Sequence, residues 1–406
     1  MKCVNGAWQI FGILCIIIFN KVSLRPISIS MVEKYCAAPW RSLHLNFEGQ
    51  IKTCCAGNPN MLGMNTDGTI EQILQGPALQ EIKQSIKQGK LHEVYCKGCI
   101  GREEVGFSSE RDWHNNLNTD FNILTADNEE HKPVLIDVRW NNTCNLACTY
   151  CSAVFSTKWA SIQGIAKNEN IKDQYHEVIN YIKKHSNHVK EVAMVGGEPL
   201  MMKENSALLD ILPDDVLVTV ITNMTTDFEK FPVPQKLLKR SRVGWSMSFD
   251  NIGERFEYVR WGSNWQQLDK NVTTVANKIN SSDQHGGIHS VYNLYNCTRL
   301  CELKKYAVDK GISIMWQHVW GDQLDPTQHN SKIRKLAIDE IKKFRDMFEP
   351  DENDAPFLDN TEQQLLNGGG NQTAQFWNFT ESVENKWHKD QKGNFVKLWP
   401  ELAQAL

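Results

Sequence analysis

The sequence has no long run of basic residues, no low-complexity tract and no internal repeat beyond an alternation of strand-like and helix-like segments. Its 44 Lys and Arg nearly balance 48 Asp and Glu, which leaves a net charge of -4 at pH 7. A chain without a basic stretch is poorly suited to neutralising a phosphate backbone, so we expect no nucleic-acid partner. The length of 406 residues fits one large domain with an accessory module.

A long hydrophobic run is also lacking. Residues 8–19 are apolar, but a membrane-spanning helix needs roughly 20 apolar residues, and no clear small-residue cleavage site follows them. We therefore expect no membrane association. We interpret residues 1–30 as a leader that results from a translation start placed too early, with Met31 as the favoured start and a signal peptide as the alternative. Because oxidising compartments convert thiols to disulfides, cysteines that bind metal as reduced thiolates predict a cytoplasmic location.

Cysteine is abundant, and its distribution is informative. Most of the twelve cysteines stand in tight groups, which favours metal binding over disulfide bonds. Residues 31–116 are predicted to form a small, turn-rich, cysteine-bearing module. Its middle, residues 70–89, has a helical pattern, because Leu79, Ile82 and Ile86 recur at helical spacing.

Residues 131–320 alternate short apolar strands with longer amphipathic segments, which is typical of repeated βα units and a parallel sheet. Six strands are predicted, at residues 134–140, 191–195, 216–222, 243–250, 289–295 and 313–319. The fold class is therefore α/β, a partial (β/α)6 barrel of the TIM type, with active-site residues at the carboxyl ends of its strands. Residues 321–406 are predicted to be a helical and polar tail that serves packing and not chemistry.

A cysteine triplet directly follows the first predicted barrel strand. Cys144, Cys148 and Cys151 have C-x3-C-x2-C spacing on a loop. Three thiolates can hold three corners of a [4Fe-4S] cube and leave one iron open, whereas a structural cluster takes four cysteines. A zinc site, which would need a fourth ligand nearby, and three chance cysteines are the alternatives.

The triplet resembles the signature of the radical S-adenosylmethionine (SAM) superfamily, C-x3-C-x-aromatic-C, in which Tyr150 supplies the aromatic residue. The resemblance implies that the open iron chelates the amino and carboxylate groups of SAM and that Tyr150 lies against the adenine. It also covers the string Gly196-Gly197-Glu198-Pro199, which is similar to the family's GGEP motif but would also suit an ordinary turn. There the glycines would let backbone approach a ligand, and Glu198 would accept a hydrogen bond from the SAM amino group.

Residues at the ends of the third and fourth predicted strands complete the expected SAM site. Thr222 and Asn223 end the third strand. Ser248 and Asp250 share one face of the fourth, where a hydroxyl and a carboxylate could hold ribose hydroxyls; an ordinary strand end with a turn is the alternative. The family carries a similar S-x-D. Arg260 resembles a family arginine that meets the SAM carboxylate, with a solvated arginine as the alternative.

The N-terminal cysteines resemble a second family element. Their pattern, C-x12-G-x4-C followed by C-x2-C, is similar to the twitch module, the short form of the SPASM auxiliary-cluster domain, although in most relatives that module follows the barrel. The ligands expected for a second [4Fe-4S] cluster are Cys36, Cys54, Cys96 and Cys99. Cys55 is a possible substitute for Cys54, and a four-cysteine zinc knuckle is the alternative for the whole site.

Four further polar or thiol side chains follow the fifth predicted strand. Asn293 or Asn296 could face the cofactor, although the family's glycine-rich pattern is absent there. Cys297 and Cys301 are interpreted as buried packing residues, with a role as ligands or a radical relay as the alternative.

The resemblance implies a radical SAM enzyme of the oxidoreductase or maturase type. Reductive cleavage of SAM at the three-cysteine cluster would give a 5′-deoxyadenosyl radical that takes hydrogen from a substrate. Twitch and SPASM relatives often modify peptides or proteins, so a peptide or protein substrate is expected, together with an electron donor such as flavodoxin or ferredoxin. The alternatives are a small-metabolite substrate and a non-catalytic interaction protein stapled by zinc or iron-sulfur groups.

Overall fold

The computed structural model describes residues 35–63, 68–104, 109–123, 131–165, 175–319, 322–388 and 394–406. The predicted leader, residues 1–30, and the start proposed at Met31 lie outside these ranges. Within them, no helix combines the length and the apolar character needed to cross a membrane.

One mixed sheet organises the described residues. Its strands are β1 (Ser42–Leu45), β2 (Ile51–Lys52), β3 (Leu135–Val138), β4 (Glu191–Met194), β5 (Leu217–Thr222), β6 (Val243–Ser248), β7 (His285–Tyr292) and β8 (Ser313–His318). Their order is β2-β1-β3-β4-β5-β6-β7-β8. All neighbouring pairs are parallel except β1 and β2. The α/β partial-barrel prediction is confirmed.

Helices connect the strands and continue beyond the last one. They are α1 (Ala38–Arg41), α2 (Ile70–Gln75), α3 (Pro77–Lys87), α4 (Lys97–Glu104), α5 (Glu110–Leu117), α6 (Thr157–Gln163), α7 (Tyr175–His185), α8 (Lys203–Ile211), α9 (Pro232–Lys239), α10 (Gly253–Val259), α11 (Trp265–Ser281), α12 (Leu300–Lys310), α13 (Ser331–Met347), α14 (Asp354–Asn367), α15 (Thr373–Glu381), α16 (Asn394–Leu398) and α17 (Pro400–Ala405). Short 3-10 turns occur at Pro199–Met201 and Pro326–Gln328, and a π-helical turn at Ser382–Trp387.

All six predicted barrel strands are present, as β3 to β8, with β7 showing the largest shift. It begins at His285, four residues before the prediction, because Gly286 and Gly287 belong to the strand. A Cβ added to Gly287 would lie 2.3 Å from the carbonyl oxygen of Ser313 on β8. Glycine weakens the sequence pattern of a strand, yet here it permits close approach of neighbouring backbones.

The N-terminal module shares the barrel's sheet, which the sequence did not indicate. Strand β1 pairs in parallel with β3, so that Leu45 lies opposite Val138. The carboxyl end of β1 therefore faces the same way as the carboxyl ends of the barrel strands. The predicted domain boundaries stay predictions.

The helical segment predicted at residues 70–89 consists of two helices, α2 and α3. Proline has no backbone N–H to donate and is favoured in the first turn, so Pro77 begins α3 directly after Gly76. Leu79, Ile82 and Ile86 are fully buried in the core that the module shares with the barrel, as their spacing indicates.

The C-terminal helices pack on the barrel through a second apolar core. Tyr258 and Tyr295, which follow barrel elements, contact the ring of Trp399 at centroid distances of 5.3 and 5.4 Å. Phe376 and Phe395 belong to the same cluster. The C-terminal region is thus helical and attached to the barrel by aromatic packing.

Candidate active site and accessory cysteine site

A cavity of about 140 Å³ opens at the carboxyl ends of the parallel strands, where β/α barrels place their active sites. The sequence-predicted residues that line it are Cys144, Cys148, Tyr150, Cys151, Gly196, Gly197, Thr222, Asn223, Ser248 and Arg260. Glu198 and Asp250 are absent from this lining and lie behind it. The structure thus brings the three thiols to one cavity, together with most of the expected SAM contacts.

The cysteine loop is held by hydrogen bonds to its neighbours. The backbone N–H of Thr149 donates to the carbonyl of Val259 at 2.8 Å, and the indole N–H of Trp159 donates to the carbonyl of Cys148 at 2.8 Å. Burial, followed by the nearby thiol of Cys148, raises the pKa of Cys144 to about 12. A metal that binds here must displace the thiol protons.

The two glycines after β4 accommodate the cysteine loop. Gly196 has a φ of +129°, and a Cβ added to Gly197 would lie 2.3 Å from the carbonyl oxygen of Thr143. That distance is shorter than any real Cβ contact, so only glycine fits while the loop keeps this position. The close approach that the glycines permit in the structure is therefore to the backbone just before Cys144.

Glu198 links strand ends beneath the cavity. Its carboxylate accepts hydrogen bonds from the Thr222 hydroxyl at 2.7 Å, the Asn223 backbone N–H at 2.8 Å and the Leu200 backbone N–H at 3.1 Å. The side chain is fully buried, and burial raises its pKa to about 7 although these donors lower it. In this structure Glu198 positions the ends of β4 and β5 and does not face the cavity.

Asp250 connects two of the lining residues. It accepts a hydrogen bond from the hydroxyl of Tyr150 and one of 3.2 Å from the guanidinium of Arg260, and its other oxygen accepts the backbone N–H of Val291 at 2.7 Å. Arg260 also lies 5.8 Å from the centroid of the Tyr150 ring, within cation–π range. Asp250 is 1% exposed, so it orients Tyr150 and Arg260 from behind.

Several lining residues were not found from the sequence. They are Phe47, Arg139, His289, Gln317 and His318, together with a set of aliphatic side chains. His289 and Gln317 are hydrogen-bonded to each other at 3.0 Å. Burial lowers the pKa of both histidines, that of His318 to about 4, so they are neutral at pH 7. Their positions at or near the ends of predicted strands were the feature of the sequence that could have identified them. Asn293 lines the cavity too.

Phe47 reaches the cavity from the N-terminal module. It stands in the turn between β1 and β2 and makes an edge contact with the Phe155 ring at 5.6 Å. The side chain of Asn46 accepts the N–H groups of Glu48 and Gln50, and Gly49 has a φ of +83°. The glycine of the C-x12-G-x4-C pattern is thus the left-handed residue of this turn.

The four accessory cysteines also converge. Cys36, Cys54, Cys96 and Cys99 line one small cavity together with Arg111. Burial, and more weakly the neighbouring Cys99, raises the pKa of Cys96 to about 11. Cys55 is not among the residues that line this cavity, and its role as a substitute for Cys54 stays a prediction.

The thiols of each group line a cavity and do not converge on a site for a single metal ion. Across the described ranges, no three Cys, His, Asp or Glu side chains are close enough to hold one metal ion. Cys297 and Cys301 are buried apart from both groups, where their thiols contact the carbonyl oxygens of Leu294 and Glu340. This matches their interpretation as packing residues.

Comparison with protein families agrees with both sites. The model of the Radical SAM superfamily matches residues 138–292, and the model of an iron-sulfur cluster-binding domain, SPASM, matches residues 36–100. The chain therefore contains a radical SAM domain, preceded by a SPASM-type iron-sulfur cluster-binding domain. Its cofactors are accordingly a [4Fe-4S] cluster, SAM and a further iron-sulfur cluster. No curated protein matches the chain in sequence.

Solved structures resemble parts of the chain. Native anSMEcpe with bound AdoMet is 16% identical over 52% of this chain and 59% of that chain, with a TM-score of 0.37. Streptococcus suis SuiB bound to S-adenosylmethionine is 15% identical over 66% and 60%, with a TM-score of 0.40. SuiB bound to its precursor peptide SuiA is 14% identical over 68% and 61%, also with a TM-score of 0.40. The chain spans about 60% of the length of these proteins.

Proposed function

We propose that this protein is a radical SAM enzyme of the maturase type, with Cys144, Cys148 and Cys151 as the ligands of the SAM-binding cluster. The supporting observation is that these three thiols face one cavity at the carboxyl ends of the barrel strands. No fourth thiol from the described part of the chain lines that cavity. A three-thiolate set leaves one iron of a [4Fe-4S] cluster open for a ligand.

The chain's own groups suit a zwitterionic cofactor. Arg260 lines the cavity, and its buried Nε has no hydrogen-bond partner among the described residues, so its guanidinium can pair with a carboxylate. Ser248 lies on the same lining, and its hydroxyl can hydrogen-bond to a ribose. Tyr150, oriented by Asp250, offers a ring face to an adenine.

When bound, the cluster and SAM supply the reductive cleavage that starts radical chemistry. The protein's contribution is to exclude water and unwanted hydrogen donors. Val195, Ile221, Val319 and Leu324 give the cavity a largely apolar wall, and Phe47 and Phe155 close one side of it. Burial of this kind favours selective reaction at the intended substrate position.

We further propose a peptide or protein substrate, as the SPASM-type domain implies, with a flavodoxin or ferredoxin as electron donor and a cytoplasmic location. A small-metabolite substrate is the alternative. The four accessory thiols suit a second [4Fe-4S] cluster with a complete thiolate set, which would relay electrons rather than grip substrate.

Anaerobic reconstitution with iron and sulfide tests the proposal. We expect about eight irons per chain and formation of 5′-deoxyadenosine when SAM and dithionite are added. Zinc in the purified protein, with no SAM cleavage after reconstitution, would instead establish the metal-stapled interaction protein.

Changing Cys96 and Cys99 to Ala should halve the iron content, because it removes two ligands of the accessory site and leaves the barrel triplet intact. Iron analysis and the spectrum of the remaining cluster provide the measurement. Cys301→Ala, which removes a buried thiol that lines neither cavity, should keep all the iron. Full iron in the double variant would disprove the accessory ligand assignment.

A further inference from the structure

We infer that Asn223 raises the reduction potential of the barrel cluster by donating a side-chain hydrogen bond to the thiolate of Cys144. This inference rests on the proposed function. It assigns Asn223 to the cluster rather than to SAM, as a positioning residue that acts through a ligand.

The geometry brings an amide donor to the sulfur. Asn223 directly follows β5 and is 7% exposed. Its Nδ2 lies 3.9 Å from the Sγ of Cys144 and 3.0 Å from the Oδ1 of Asn145. A side-chain amide nitrogen carries two protons, so both contacts can be made at once.

The orientation of the amide is set by Thr225. The Oδ1 of Asn223 accepts hydrogen bonds from the backbone N–H of Thr225 at 2.9 Å and from its hydroxyl at 2.7 Å. A backbone N–H can only donate a hydrogen bond. The atom of the Asn223 amide that faces Thr225 must therefore be its oxygen. The NH2 group is thereby directed towards Cys144.

The backbone around Asn223 is fixed from two sides. Its N–H donates to the buried carboxylate of Glu198 at 2.8 Å. The next residue, Met224, has a φ of 59°, and it is the only residue other than glycine with a positive φ in the described ranges. Left-handed conformations of this kind are unfavourable for ordinary residues and occur at functional sites. Asn223 is therefore held in place before any cluster binds.

The chemical consequence follows from charge. Reduction adds an electron to the cluster and makes its thiolates more negative. A hydrogen-bond donor at one sulfur stabilises the reduced state more than the oxidised state, which raises the potential. A cluster without that donor is harder to reduce.

The test is an anaerobic redox titration of the reconstituted full chain, followed by electron paramagnetic resonance, without SAM or substrate. The chain should carry Cys96→Ala and Cys99→Ala so that only the barrel cluster contributes. At a fixed potential on the titration curve, Asn223→Leu should lower the ratio of reduced to oxidised cluster about fivefold, the net effect of one typical hydrogen bond. Thr225→Val, which removes the hydroxyl donor to the Asn223 oxygen and keeps the backbone N–H, weakens the hold on the amide and should shift the ratio in the same direction by a smaller factor.

Asn293→Ala is the matched control, since Asn293 also lines the cavity but donates its side-chain N–H to Val291. It should leave the potential unchanged. Unshifted potentials in both Asn223→Leu and Thr225→Val, with iron content retained, would overturn the inference. If Asn223→Leu does not retain its cluster, the Thr225→Val potential decides alone. If the reconstituted wild-type protein does not cleave SAM, that result would instead refute the proposed function.

Discussion

Replacing Cys144, Cys148 and Cys151 together by Ala is expected to abolish reductive cleavage of SAM while about four irons per chain remain. The three thiols line one cavity, and the accessory thiols line another, so removal of the first set leaves the second set complete. Formation of 5′-deoxyadenosine and the iron content of the reconstituted variant provide the two measurements. Without three ligands the barrel has no means to hold a cluster beside the SAM site.

Cys297→Ala is a suitable control for this experiment. Cys297 is fully buried in the second apolar core, where its thiol donates to the carbonyl oxygen of Leu294, so its removal should spare both cleavage and iron. Complete loss of iron from the triple variant would show that the two sites are not independent. Cleavage that survives in the triple variant would place the SAM-binding cluster elsewhere.

Gly197→Ala is expected to disrupt the same site without removing a ligand. The new Cβ would lie 2.3 Å from the carbonyl oxygen of Thr143 and 2.6 Å from backbone atoms of Asn142. Those atoms are backbone and cannot rotate away, so the loop that carries Cys144 must shift. We expect the free energy of unfolding to fall by about 1–3 kcal/mol and SAM cleavage to fall about 100-fold, because misplacement by about 1 Å has an effect of that size.

Gly369→Ala provides the comparison. An added Cβ there would meet no atom within 4 Å, and Gly369 lies on the surface between α14 and α15. Stability and cleavage should both stay at the wild-type level. Equal behaviour of the two glycine variants would mean that the cysteine loop tolerates displacement and that Gly197 does not constrain it.

The barrel strands were predictable because each is a short apolar run between amphipathic segments. Strand β1 was not, because its four residues, Ser42–Leu45, include a serine and a histidine that are buried only by their neighbours. His44 lies 3.0 Å from Asp137 on β3, an interaction across strands that no local pattern encodes. The extension of the sheet therefore depends on tertiary contacts.

At the site, too, some features could be predicted from the sequence and others could not. Spacing alone identified the cysteines, since metal ligands on one loop are local in sequence. The positions of Glu198 and Asp250 could not be obtained that way, because a motif fixes where a residue stands but not which way its side chain points. Both carboxylates are buried and accept hydrogen bonds from other side chains of the protein. Phe47 gave no signal, because it reaches the cavity through the pairing of β1 with β3, and Arg139, at the end of β3, belongs to no motif.

That pairing has a consequence for attempts to dissect the protein. A fragment that begins after residue 123 would leave the backbone N–H and C=O groups of one side of β3 without partners, and such an open edge invites association with other chains. It would also lose Phe47 from the wall of the cavity that the cysteine triplet lines. The segment that carries the accessory cysteines thus completes the edge of the barrel sheet, and we expect a barrel fragment without it to associate with other chains.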